Sequence, residues 1–200
     1  MNKNAWEGGM AKQMERLKEL IKERAFLYSE EGFTLASGKR SHYYFDLKPV
    51  LLDAEGLNLI AECMYEHIKG CNAEYIGGLE SGAIPIVAAI CMLSWKKGRP
   101  MRGFYVRKER KPRGTMKTIE GNLESGAKVV IVEDVTTTGS SVLKAIEEVQ
   151  KKGCTVVKVI SVIEREEGAR EKLEGIGVEH HALFVKSDFV GKNERLENRR

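Results

Sequence analysis

Apolar positions along the chain follow two regimes. Met10, Met14, Leu17, Leu20, Ile21 and Tyr28 recur near helical spacing, with Lys12, Glu15, Arg16, Lys18, Glu19, Lys22 and Glu23 on the other face. That pattern predicts an amphipathic opening helix. Phe33 to Leu35 and Tyr43 to Leu47 are short β-type runs separated by ASGKRSH, whose small and charged residues suit a turn, so a hairpin or bent strand pair is expected. Asp53 is placed to cap a helix carrying Leu57, Ile60, Ala61, Met64 and Ile68 on one face, and Gly70 to end it.

From residue 75 short apolar runs alternate with helical ones: YIGGL, then Ile84 to Leu93; MRGFYV; KVVIVE, then Ser141 to Lys151; TVVKVISVI, then Ala169 to Leu173; and HALFV. The alternation predicts an α/β fold, a central mostly parallel sheet flanked by helices, with the helix and hairpin as a small N-terminal hood. Ligands of such sheets bind beyond the carboxyl ends of the strands, so the loops after each run are where chemistry is expected.

The loop after KVVIVE carries the strongest signal. Glu133 and Asp134 end the strand; Val135, Thr136, Thr137, Thr138, Gly139, Ser140 and Ser141 lead into a helix. A helix start offers unpaired N–H groups and a positive dipole end, Gly139 allows close backbone approach, and the hydroxyls add donors, so a phosphate monoester fits. Adjacent carboxylates can accept from vicinal sugar hydroxyls or hold metal-bound water. An ordinary Thr/Ser helix cap beside solvated acids is the plainer alternative. Neither G-x-x-x-x-G-K-[ST] nor a helix-opening G-x-G-x-x-G is present.

VVIVEDVTTTGSS resembles the phosphoribosyl-pyrophosphate (PRPP) signature of type I phosphoribosyltransferases. The resemblance implies that family's fold. It also implies that Glu133 and Asp134 contact the ribose 2- and 3-hydroxyls, while Thr136 to Ser141 hold the 5-phosphate.

Composition narrows the classes. In 200 residues with 42% hydrophobic content one core can close, so a single domain is expected, with hood elements over about 10–48, a core over about 50–185 and a tail over 186–200. No run approaches the roughly 20 apolar residues of a membrane span, and MNKNAWEGGM lacks a signal-peptide core, so the protein is expected in the cytosol, away from membranes. Cys63, Cys71, Cys91 and Cys154 form no C-x-x-C, and His42, His67, His180 and His181 show no ligand spacing with them, so neither protein-ligated metal nor a disulfide framework is expected. A net charge of +4 does not argue for nucleic acid.

That charge is uneven. RKERKPRGTMKTIEG crowds Arg107, Lys108, Arg110, Lys111, Arg113 and Lys117 into a segment that Pro112 and Gly114 keep from being a good helix. A solvated charge run explains such a segment on its own. Lying past a sheet strand, it could instead close over the site, neutralise departing pyrophosphate and exclude water. YVRKERKPRG resembles the catalytic loop of orotate phosphoribosyltransferases, which implies that Arg107, Lys108 and Lys111 bind PRPP. Arg113 stands where enteric members carry histidine and keeps a cation for pyrophosphate. Because that family's loop reaches into the neighbouring subunit, a homodimer is implied.

GGLESGAIPI could offer amides around Glu80, Ser81 and Gly82 to pyrophosphate, or be a plain strand-to-helix turn. It resembles the family's pyrophosphate loop, which implies a cis Glu80–Ser81 bond. FTLASGKRSHYYFDLK resembles the family's N-terminal signature, which implies that Tyr44 and Phe45 line an orotate pocket, although aromatic strands are more often core. Ala36 replaces an enteric lysine, leaving Lys39 as the cation there. Arg165 ends TVVKVISVIE; it is either a surface residue of the EREEGARE turn or, by resemblance, the bidentate partner of orotate's carboxylate, with Thr137 facing orotate from the phosphate loop.

Together the motifs imply transfer of phosphoribose from PRPP to orotate with Mg2+ held mainly by PRPP and water, the catalytic group being Lys111, Arg107, Arg113 and Asp134. Transfer to another base, or PRPP sensing without turnover, are the rival readings.

Overall fold

A computed structural model describes residues 3–34, 38, 40–109 and 117–190. The chain runs α1 (Lys3–Arg24), β1 (Phe26–Thr34), β2 (Arg40–Phe45), α2 (Lys48–Leu51), α3 (Ala54–Ile68), β3 (Tyr75–Gly77), α4 (Ala83–Lys96), β4 (Arg102–Val106), β5 (Ile119–Gly121), β6 (Lys128–Thr136), α5 (Ser140–Lys151), β7 (Thr155–Glu164), α6 (Ala169–Gly175) and β8 (His180–Val185), closing on a 3-10 turn (Lys186–Asp188). The six-stranded sheet has the order β5-β4-β3-β6-β7-β8, and every pair is parallel except β4 with β5.

Period-two alternation along β6 explains why both faces of the sheet are covered. Val130 and Val132 turn to the side of α1, α3 and α4, and Val129 and Ile131 to the side of α5 and α6. Asp53 caps α3 as expected, its side chain accepting from Gly56 N. Leu17, Leu20 and Ile21 seal α1 onto this core.

The hood departs from the expected boundaries. Tyr28 lies in β1, not in α1: the helix ends at Arg24, and Phe26, Leu27 and Tyr28 pair antiparallel with Phe45, Tyr44 and Tyr43. Aromatic residues with a facing strand gain more from cross-strand packing than from one further helical turn; the Phe26 ring lies 5.7 Å from that of Tyr43. β5, too short for a periodic signal, was not foreseen.

Candidate active site

Loops after β3, β4, β6 and β7 gather at one end of the sheet. At the end of β6 the polypeptide enters a loop whose Gly139 adopts φ 79° as N-cap of α5; a Cβ there would also meet that of Ala169 at 3.4 Å. The left-handed conformation and the approach of α6 both select glycine. The cleft before α5 encloses about 140 Å³ and is bounded by Glu133 and residues 135–142. That equals several water volumes at roughly 30 Å³ each, room for a phosphate group. Thr138 and Ser140 hydroxyls lie 2.9 Å apart, and Lys172 on α6 donates to the Thr138 carbonyl at 2.9 Å.

The acid pair divides between the two sides of the strand. Glu133 faces the cleft beside α5, 6% exposed, with Oε2 lacking a partner among the described residues. Burial first and neighbouring Asp134 second push its carboxyl well above the usual range. Asp134 points the other way, against Gly82: a Cβ at 82 would lie 2.4 Å from the Asp134 carboxyl carbon, so glycine is what lets the 78–82 loop reach the acid pair. The Glu80–Ser81 bond is cis, as the resemblance implied.

Glu80 performs a different task from the one expected of it. Its amide donates to Val106 O at 2.8 Å, and its carboxylate accepts from Lys108 N at 2.7 Å. An N–H already spent inside the protein is not free for pyrophosphate, so Ser81 and Gly82, at the start of α4, remain the candidate donors of this loop. Glu80 instead ties it to the stem of the basic segment, where Lys144 also donates to the Lys108 carbonyl. Arg107 lies 3.9 Å from Glu120 of β5, and its amide donates to Thr118 O. Lys111, Arg113 and Lys39 lie outside the described residues.

At the end of β7, Arg165 is buried. Its Nη2 donates to Ser41 Oγ at 3.1 Å and Tyr43 O at 3.3 Å, and pairs with Glu167 at 3.0 Å. Tyr44 and Phe45 cannot both face this point, since neighbours on a strand project to opposite sides. Phe45 belongs to the hood core, 5.1 Å from Phe26 and 5.4 Å from Phe189 between ring centroids. Tyr44 packs tilted against Phe33 at 5.5 Å between ring centroids, on the other side of the strand from Phe45. The expectation of a pocket wall is therefore corrected for Phe45.

Comparison with known proteins accords with this arrangement. Residues 55–182 match the Phosphoribosyl transferase domain family. Orotate phosphoribosyltransferase of Bradyrhizobium diazoefficiens is 46% identical over 179 residues, covering 88% of this chain and 95% of the relative. The chain belongs to the orotate phosphoribosyltransferase family. The Aquifex aeolicus member is 44% identical, with 89% and 98% covered. Among solved structures, Mycobacterium tuberculosis orotate phosphoribosyltransferase superposes with a TM-score of 0.77 at 34% identity, covering 88% of this chain and 98% of that one. The same protein in complex with PRPP gives 0.73 at 33% identity, with the same coverage.

Several residues around this candidate site of the orotate phosphoribosyltransferase relative carried no sequence signal. Ser41 and Glu167 lie in runs read as turns, and Lys144 and Lys172 in runs read as helices. Lys48, a cation that spacing did not reveal, pairs with Asp46 at 2.6 Å, and that bond raises its ammonium pKa against the opposing effect of burial. No helix among the described residues is long and apolar enough to cross a membrane.

Proposed function

We propose that the chain transfers the 5-phosphoribosyl group from PRPP to orotate, giving orotidine 5-phosphate and pyrophosphate, in pyrimidine biosynthesis in the cytosol. The observation that carries the reading is the meeting, at one sheet end, of a phosphate-sized cleft, an acid pair touching the 78–82 loop, and a buried arginine. Family relatives that act on orotate, and the PRPP complex of one of them, support it.

The 5-phosphate binds residues 136–141, where the hydroxyls of Thr136, Thr137, Thr138, Ser140 and Ser141 and the amides opening α5 donate to it; Gly139 and Val135 shape the turn. Glu133 and Asp134 accept from the ribose hydroxyls. Ser81 and Gly82 receive pyrophosphate, and Arg107, Lys108, Lys111 and Arg113 neutralise it as the C1–O bond breaks. Arg165 grips the orotate carboxylate bidentately, with Thr137, Tyr44 and Lys39 around the base.

Mg2+ suits this donor set as a guest of the substrate. Among the described residues no three acids, histidines or cysteines converge on a metal position, and the unpartnered Glu133 Oε2 offers one hard oxygen. The ion is held chiefly by polyphosphate and water, and when bound it offsets pyrophosphate charge.

A homodimer completes the reading. On α4, Ile84, Ala88, Met92 and Trp95 form an exposed apolar stripe, with Met92 57% and Trp95 74% exposed, beside the β4–β5 stem of the basic segment. A second copy covering it would bring each basic segment towards its neighbour's site.

The test is orotate consumption followed by absorbance with PRPP and Mg2+, with uracil, hypoxanthine and adenine as alternative acceptors, for the native chain and Lys111→Ala. Turnover confined to orotate and nearly abolished by the substitution is expected. Turnover only with another base refutes the acceptor, and full activity in Lys111→Ala refutes that loop role.

A further inference from the structure

The guanidinium of Arg165 is fastened from two separate parts of the molecule. Hood strand β2 supplies Ser41 Oγ and the Tyr43 carbonyl, and the turn between β7 and α6 supplies Glu167 Oε1. Among the described residues all these bonds go to one nitrogen, Nη2. The Arg165 and Glu167 side chains are only 4% and 15% exposed, so this is an enclosed pair whose geometry solvent does not loosen. Nε, also buried, has no partner among the described residues and keeps its donor in reserve.

An arginine selects a carboxylate only when its planar fork is already aimed, because the side chain otherwise has many rotamers to choose from. Glu167 is two residues beyond Arg165 in the turn that leads to α6, so it supplies the aim from the core side while β2 supplies it from the hood. Resting on the orotate reading above, we propose that Glu167 is a positioning residue for acceptor specificity, clamping Nη2 of Arg165 so that its other N–H groups stay available to the acceptor's carboxylate. Two effects of Glu167 oppose each other. Its negative charge repels a second carboxylate, whereas its hold on the guanidinium spares the acceptor the entropy of ordering it. Two further bonds from β2 on the same nitrogen favour the second effect, since they act with Glu167 to fix the direction of the guanidinium through neutral oxygens that add no negative charge.

The test compares the native enzyme with Glu167→Ala and Glu167→Gln, measuring KM for orotate and for PRPP separately. Glu167→Ala is expected to raise the orotate KM about tenfold or more, the equivalent of about 1.4 kcal/mol, with the PRPP KM within twofold. Glu167→Gln, which keeps an oxygen acceptor for Nη2, is expected to stay within threefold of native for both substrates. An unchanged or lowered orotate KM in Glu167→Ala overturns the proposal, as does an equal rise for both substrates. If circular dichroism finds Glu167→Ala unfolded, Glu167→Asp, whose carboxylate is withdrawn by one methylene, takes its place with the same split expected. Absence of orotate turnover in the native chain would instead refute the function itself.

Discussion

Replacing Glu133 by Gln separates binding from stability at the centre of the site. The native carboxyl is 6% exposed, has one oxygen without a described partner, and sits beside Asp134, so ionisation is disfavoured by burial and then by like charge. A buried polar atom left unpaired costs about 1–3 kcal/mol. The raised folded pKa fixes the sign: the stability associated with this group is fully present below the unfolded carboxyl value and is lost as pH rises through the folded one. Glutamine has nearly the same shape and does not ionise. Its melting temperature should therefore exceed the native one by more at pH 8 than at pH 5, by about 2–4 °C for each kcal/mol relieved in a protein of this size. The same change replaces one of the carboxyl oxygens that accept from the ribose hydroxyls by an amide nitrogen that cannot accept. A hydrogen bond of an uncharged group contributes about 0.5–1.5 kcal/mol, so PRPP affinity should fall about 2- to 10-fold. Thermal melts at three pH values and calorimetric titration of PRPP with Mg2+ measure both quantities. A variant less stable than native at pH 8, or one binding PRPP undiminished, would refute the assignment of Glu133.

His181 and His67 bring their rings to 3.9 Å across β8 and α3, and burial, then His67, then Lys158, hold the His181 imidazole down to about 4. Its folded value lies below the unfolded value of about 6.5, so its share of stability is present above that and is lost as pH falls towards 4; His181→Gln should flatten the drop in melting temperature between pH 7 and 4.5, and equal slopes in the two proteins would contradict this. Met92→Glu places a charge in the exposed stripe of α4 and should leave a species of about 22.4 kDa in sedimentation, whereas the proposed dimer predicts twice that mass for the native chain; equal masses for both would remove this face from the interface.

Local sequence determined whatever depends on neighbours along the chain. Continuous apolar runs in KVVIVE and TVVKVISVI marked strands buried on both faces, Asp53 announced its own cap, and Glu133 to Ser141 declared a strand end, a loop and a helix start, because these follow one another without a break. The end of α1 escaped, since Phe26 to Tyr28 become a strand only through pairing with Tyr43 to Phe45, residues that helical spacing cannot see. Tertiary contact alone decided that Phe45 is core and Tyr44 turns from it, that Gly82 is small because Asp134 lies against it, and that the Glu80 amide is already bonded to Val106. It also decided that Arg165 is buried between Ser41 and Glu167, although its neighbours in EREEGARE read as a solvated turn. Side-chain chemistry and its order are written in the chain, whereas direction, burial and partnership arise only when segments distant in sequence exclude water from the same space.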